Sequence, residues 1–172
     1  MASIINVDQI RNAAGTNGLT LDASTGKASF PNGATLPAGS VVQVVSNFIT
    51  TDVNTVSTSF VSTGLSASIT PASTSSKVLA IASSPSWYIG TDAAYATIYR
   101  DSTNLAAGTA NALMLIYADA RYAPSTMQVL DAPASTSSLT YTVYFRTTSG
   151  GGSYISYPTY GHFTITLMEI AQ

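Results

Sequence analysis

The chain has 172 residues, of which 45% are apolar and only 8% are charged. This length suits one domain of ordinary size with an extension. The chain has six basic and eight acidic residues, which give a net charge of -2. The clustered Lys and Arg that contact a phosphate backbone are therefore lacking, and we expect no nucleic-acid partner. Because the chain has no cysteine, it can form neither disulfides nor thiolate metal sites, and its stability must come from packing.

The N-terminus carries no targeting signal that the sequence reveals. Residues 1 to 8 lack both the basic region and the apolar region of a signal peptide. The chain also contains no run of eighteen apolar residues, which is the minimum for a membrane-spanning helix. We therefore expect neither secretion through a signal peptide nor insertion into a membrane.

Residues 1–40 form a leader that is rich in small residues and turns. Ordering its backbone costs about 1 to 2 kcal/mol per residue, whereas each buried apolar side chain contributes only roughly 1.5 to 3 kcal/mol. The leader has too few apolar side chains to enclose itself, so it should become ordered only against a partner. We predict an extended attachment and oligomerisation segment that contacts other proteins through its apolar residues: Ile4, Ile5, Val7, Ile10, Leu19 and Leu21.

The sequence changes character at Pro37 and Gly39, which interrupt regular structure before the β-branched stretch 41–45. From there the pattern predicts short strands separated by Ser-, Pro- and Gly-rich turns, among them loops at 83–85 and 123–125, and no long helical periodicity competes. Residues 41–172 are therefore predicted to form an all-β head, an antiparallel β-sandwich of jelly-roll-like type. The predicted strands are 41–49, 65–69, 77–83, 95–100, 113–118, 127–130, 139–146 and 162–170.

Residues that could support catalysis are sparse. His162 is the sole histidine, and it has no cysteine or second histidine with which to form a metal site. The glycine run 150–152 lacks the lysine and helix of a phosphate-binding loop. The acidic residues are scattered over separate strands and loops, so a paired-carboxylate site would arise only by coincidence of folding: Asp92, Asp101, Asp119, Asp131 and Glu169. We expect a non-enzymatic protein with no catalytic residue, no cofactor and no metal.

Aromatic residues are the more informative set, since ten tyrosines and one tryptophan occur in a chain with little charge. Each has a flat apolar ring and one polar group, a hydroxyl or an indole N–H. Such side chains suit both subunit contacts and stacking against sugar rings. For the strand residues Tyr99, Tyr141 and Tyr144 we expect core or subunit packing. A second group falls in sequence typical of loops and supplies the candidate ligand or receptor contacts: Trp87, Tyr88, Tyr154, Tyr157 and Tyr160.

Six stretches stand out by their order along the chain: GLTLD (18–22), GKASFPNGA (26–34), LPAGSVVQ (36–43), GLSASITP (64–71), TSSKVL (74–79) and TITLMEI (164–170). Together they resemble small structural proteins of tailed phages, especially cyanophages and marine phages. The resemblance implies a virion component with an N-terminal attachment segment and a β-rich head that is often trimeric. It supplies no catalytic motif.

Two functions follow from this resemblance. In the first, the chain is a tail-fibre-like appendage that is anchored to other virion proteins by its leader and presents its head to a host surface glycan. In the alternative, it is a capsid decoration, or cement, protein that clamps capsid subunits. In both cases we expect a homotrimer that assembles in the host cytoplasm and lies on the surface of the virion.

Overall fold

The computed structural model describes residues 9–11, 14–15, 17–22, 24–25, 28–29, 36–89, 93–117, 121–149, 153–155 and 161–172. Within these ranges the chain forms fourteen strands and no helix, so the predicted all-β class with antiparallel sheets is confirmed. The strands are β1 (Gln9–Arg11), β2 (Asn17–Leu21), β3 (Ala28–Ser29), β4 (Val41–Ile49), β5 (Val53–Thr55), β6 (Val61–Ile69), β7 (Lys77–Ile89), β8 (Ala93–Arg100), β9 (Thr103–Asn104), β10 (Met114–Tyr117), β11 (Arg121–Asp131), β12 (Leu139–Thr147), β13 (Ser153–Ile155) and β14 (Phe163–Ile170).

The chain divides into two compact units, Met1–Leu36 and Pro37–Gln172. In the first unit, the described strands β1, β2 and β3 pair in that order as an antiparallel sheet. The Asp22 carboxylate closes the turn after β2 by accepting hydrogen bonds from the hydroxyls and backbone amides of Thr25 and Ser24. These bonds, the strongest from the Thr25 hydroxyl, lower the pKa of Asp22 to about 2. The first unit thus contains local strand structure.

The second unit is built on two antiparallel sheets of the described strands. In the first of these sheets, β4, β14, β7 and β11 are neighbours in that order, and β13 and β5 extend it from the C-terminal part of β7. In the second sheet, β10, β8, β12 and β6 are neighbours, and the short strand β9 continues from β8. The chain therefore crosses repeatedly from one sheet to the other.

Strict alternation along β12 and β14 supplies buried residues to a core shared by both sheets. In β12 the residues at positions 139, 141, 143 and 145 are buried, while the intervening ones face outward. The same alternation in β14 buries Phe163, Ile165 and Leu167. Since successive side chains of a strand point to opposite faces, each sheet contributes one apolar face to the common core. The unit is accordingly β-sandwich-like.

Two strands run through prolines at positions where the sequence predicts loops. β7 continues through Pro85 and β11 through Pro124, and the pairing register between these strands shifts in this region. A proline donates no backbone hydrogen bond, but a bulge leaves some backbone donors out of the ladder and therefore tolerates it. The predicted loops at 83–85 and 123–125 are wrong for this reason.

A buried polar network links the two sheets. The Arg100 guanidinium on β8 donates to both carboxylate oxygens of Asp131 on β11, at 2.7 and 2.6 Å. The Tyr141 hydroxyl on β12 donates to Asp131 Oδ2 at 2.7 Å. Burial, together with this hydrogen bond to a carboxylate, raises the pKa of Tyr141. Burial lowers the pKa of Arg100, but its bond and attraction to Asp131 outweigh that effect and raise it. The network therefore consists of an ion pair and a neutral hydroxyl donor.

Candidate binding surfaces

Trp87 occupies the core and not an exposed loop, so its predicted placement is wrong. It lies in β7 with only 1% of its surface exposed, and its ring packs edge-on against Phe145 of the other sheet at 6.3 Å between ring centroids. The surrounding Ser-Pro-Ser sequence is typical of a turn, yet β7 passes through it. Trp87 is therefore enclosed between the two sheets and cannot stack on an external ligand in this conformation.

The other four predicted ligand contacts are only partly described. Tyr88 lies in β7 and is half-buried, and its backbone pairs with that of Tyr154 in β13. These two residues are thus cross-strand neighbours within a sheet. Tyr157 and Tyr160 lie outside the described residues. The receptor-contact prediction for these four tyrosines remains a prediction.

The predicted attachment residues belong to the first unit. Ile10 in β1 is 54% exposed and pairs with Leu19 in β2, while Leu19 and Leu21 are half-buried. Ile4, Ile5 and Val7 lie outside the described residues. Attachment through this segment remains a prediction.

Among the described residues, the acidic and histidine side chains are not gathered into a metal site or a catalytic pair. His162 is exposed and stacks on Phe48, with ring centroids 4.8 Å apart and an interplanar angle of 14°. No group of three or more His, Cys, Asp or Glu side chains in the described ranges could hold a metal ion. Asp131 is engaged with Arg100, and Glu169 lies in a separate site. Asp92 and Asp119 lie outside the described residues.

Glu169 is a fully buried carboxylate that fixes a loop to the sheet. Its Oε2 accepts a hydrogen bond from Gln43 Nε2 at 2.6 Å, and its Oε1 accepts one from the amide of Ala72 at 2.8 Å. Burial raises the pKa of Glu169, but the bonds from Gln43, Ser76 and the amides of Ala72 and Ser73 outweigh it and lower the pKa below its ordinary value. A buried carboxylate with several donors is stable in its charged form. Its role is to hold the loop between β6 and β7.

The outer face of the β10-β8-β12-β6 sheet carries a cluster that sequence reasoning missed. We call it the tyrosine face, and it comprises Phe60, Tyr95, Tyr99, Tyr144 and Arg146. The Arg146 guanidinium lies 4.3 Å from the ring centroid of Tyr95 and 5.1 Å from that of Phe60. The rings of Tyr99 and Tyr144 are 4.1 Å apart, and Phe60 meets Tyr99 edge-on at 6.5 Å. All five side chains are half-buried, so the cluster is ordered by its own contacts while still reaching the surface.

Strand register explains why these residues meet. Arg146 on β12 pairs with Tyr95 on β8, and Tyr95 pairs in turn with Leu115 on β10. Paired residues of neighbouring strands point to the same face of a sheet, so the three side chains form a row across it. A single signal in the sequence, the outward alternation of Tyr144 and Arg146 within 139–146, indicates two of the five residues of the cluster. The partners on β8 and before β6 become visible only when the pairing is known.

A second surface lies on the outer face of the other sheet. Val44, Met168, Leu79 and Leu130 stand in register on β4, β14, β7 and β11. We call this row the apolar stripe. Val44 is 56% exposed and Leu130 is 54% exposed, which leaves a row of aliphatic side chains open to solvent. Exposed contiguous apolar surface of this kind is typical of interaction sites.

The next two rows of this face carry paired hydroxyls beside Ile81 and Phe48. Ser46 and Thr166 are 3.1 Å apart at their hydroxyls, and Ser83 and Thr126 are 3.0 Å apart. These cross-strand hydroxyls hydrogen-bond to one another on the outer face of the sheet. The apolar stripe is therefore bordered on one side by a hydroxyl-rich surface.

No protein-family model matches the chain, and no curated protein matches it either. The described residues contain no helix that could span a membrane.

Proposed function

We propose that this chain is a bacteriophage virion structural protein, a tail-fibre-like appendage anchored by its N-terminal unit and exposing a β head for attachment to a host surface. The observation that carries the proposal is the order of the main strands in the second unit. This strand order supports a jelly roll, a fold that is common in viral capsid proteins and in lectins. The resemblance of the sequence to structural proteins of tailed phages supports the same conclusion.

The strand order supports a jelly roll in the following way. Eight strands carry the two sheets, namely β4, β6, β7, β8, β10, β11, β12 and β14. Numbered from one to eight along the chain, they pair in the order 1-8-3-6 in one sheet and 5-4-7-2 in the other. A jelly roll has this order, because its two Greek keys place successive strands in opposite sheets, except for the fourth and fifth strands, which pair in one sheet. The short strands β5, β9 and β13 are additions to that plan.

The division of the chain after Leu36 fits an anchor and a head. The described strands of the first unit are short, and Ile10 exposes more than half of its surface. A segment of this kind gains burial by packing against other virion proteins. The second unit has its own core and requires no such partner in order to fold.

The apolar stripe supports self-association of the head, and we propose a homotrimer. Val44 and Leu130 lie at opposite ends of the stripe, so it spans four strands. A charge-poor surface of this kind suits contact between subunits, where apolar area is removed from water. Light scattering of the purified chain gives the subunit number directly. Capsid decoration is the second candidate, because the same stripe could seat a trimer on a capsid lattice.

Competition for adsorption tests the attachment function. Purified protein, labelled with a fluorophore, is added to cells of the strain that the phage infects before the phage itself is added. Binding of the protein and slower phage adsorption support the tail-fibre-like function. A folded protein that neither binds cells nor slows adsorption contradicts it and favours capsid decoration.

A further inference from the structure

We propose that the tyrosine face binds an acidic saccharide, with Arg146 receiving its carboxylate or sulfate group. The inference rests on the proposed attachment function and names the chemical class of the receptor. It also moves the receptor contact away from the buried Trp87 to a surface that the sequence did not reveal.

Neighbouring aromatic rings hold the Arg146 side chain in place. Its guanidinium lies against the rings of Tyr95 and Phe60, and Nη1 donates to the backbone oxygen of Thr58 at 3.5 Å. Contact with aromatic faces orients a guanidinium without consuming its N–H donors, because the attraction is to the ring faces. Arg146 is therefore a positioned cation that retains donors for another group.

Arg146 has no carboxylate partner among the side chains that the structure describes. Among the described side chains of the second unit, the cations are Lys77, Arg100 and Arg146. Arg100 has its own carboxylate partner in Asp131, and Arg146 forms no salt bridge within the described residues. A half-buried guanidinium that lacks a carboxylate is complementary to an external anion, with which it can form two parallel hydrogen bonds. Charge complementarity therefore favours an anionic ligand over a neutral one.

The groups that share a face with Arg146 suit a saccharide. Tyr117 is 82% exposed and lies on β10 two residues beyond Leu115, which pairs with Tyr95. Tyr117 thus offers an open aromatic ring on the same face as Arg146. Further along this face, Thr142 and Ser66 are cross-strand partners that carry hydroxyls. Aromatic rings that stack on C–H faces, together with neighbouring hydroxyls, suit a sugar better than an apolar peptide.

Isothermal titration calorimetry of the full chain at low salt tests the proposal. The probes are an oligogalacturonate, which carries carboxylates, a sulfated galactan oligosaccharide, and a neutral galacto-oligosaccharide of equal length. We expect the wild-type chain to bind at least one acidic probe more tightly than the neutral one. Raising the salt concentration should weaken that binding, because a solvent-accessible ion pair is screened.

Three variants locate the site. Arg146→Gln should weaken binding of the acidic probe about tenfold or more, since a hydrogen-bonded charge is lost. Arg146→Lys keeps the charge but not the planar guanidinium group. Its affinity for the acidic probe should lie between those of wild type and Arg146→Gln. Lys77→Gln is the matched control, because it removes one positive charge from the other sheet, and it should leave binding within about twofold of wild type. Melting temperatures establish that each variant is folded.

The outcomes separate this inference from the function on which it rests. Equal binding of acidic and neutral probes, or unchanged binding by folded Arg146→Gln, overturns the acidic-saccharide site. So does a change in subunit number caused by Arg146→Gln, which would make Arg146 a contact between copies. If no acidic probe binds but the protein still blocks phage adsorption, the inference fails and the attachment function stands. If the protein neither binds the probes nor blocks adsorption, both fail.

Discussion

The Tyr141 hydroxyl donates a hydrogen bond to Asp131 Oδ2 across the interior of the head, at a distance of 2.7 Å. Tyr141 lies on β12 in one sheet, and Asp131 lies on β11 in the other. The bond therefore joins the two sheets at a point where neither partner can reach bulk water freely. Because the pKa of Tyr141 is raised, the hydroxyl remains a donor at neutral pH.

Replacing Tyr141 with phenylalanine should destabilise the head without creating a cavity. The variant leaves Asp131 with one donor fewer, and hydrogen bonds to charged groups contribute about 1.5 to 3 kcal/mol. Urea unfolding followed by circular dichroism measures the loss. Tyr144→Phe is the control, because it removes a hydroxyl from the outer face, and it should cost less than about 0.5 kcal/mol. Equal losses in the two variants would show that the bond between the sheets contributes nothing of its own.

The buried carboxylate of Glu169 should make the stability of the head depend on pH. Its folded-state pKa lies below the ordinary value of 4.5. The charged form therefore stabilises the fold above that value, and the contribution is lost as the pH falls through the folded-state pKa. We expect Glu169→Gln to be less stable than wild type at pH 7 and the difference to narrow in acid. Urea unfolding at neutral and acidic pH checks this, and a difference that stays constant or widens in acid contradicts it.

Truncation to alanine should lower the stability of the head strongly at Trp87 and hardly at all at Tyr117. Trp87→Ala removes a buried ring and should cost about 3 to 5 kcal/mol of unfolding free energy. Tyr117→Ala removes an exposed ring and should change stability by less than about 0.5 kcal/mol. Melting temperatures of the two variants give the comparison. A Trp87→Ala variant of unchanged stability that no longer adsorbs to host cells would restore Trp87 as a receptor contact.

Deletion of residues 1–36 should leave a folded head that fails to enter virions. The chain divides after Leu36, and the second unit holds the shared core. Circular dichroism of the truncated chain tests folding, and protein analysis of purified particles tests incorporation. Loss of the β-sheet signal on truncation would mean that the first unit belongs to the core of the head.

The alternation of apolar residues was sufficient to predict the all-β class and the main strands. Val41–Ile49 has the predicted bounds, and Leu139–Thr147 and Phe163–Ile170 differ from prediction by one residue. Period-two patterning is visible in the second and third of these strands, because each has one buried face, whereas the first was predicted from its β-branched residues. β7 was predicted too short because Pro85 indicates a turn. The strand accommodates this proline only because its pairing with β11 contains a bulge.

The surfaces could not be predicted for a related reason. Arg146 and Tyr95 are far apart in the sequence and meet only through the register of β12 and β8. The apolar stripe likewise takes one residue from each of four strands, so no single segment reveals it. The composition indicates that aromatic residues contribute to binding surfaces, whereas the pairing of strands decides which aromatic residues share a face.

Cryo-electron microscopy of the virion is the most direct test of the central claim. We expect this chain to occur as trimers on the tail, with the N-terminal unit against other virion proteins and the tyrosine face directed outward. Copies spread over the capsid lattice would contradict the tail-fibre-like function and establish decoration instead. Particles that contain no copy of the chain would contradict both.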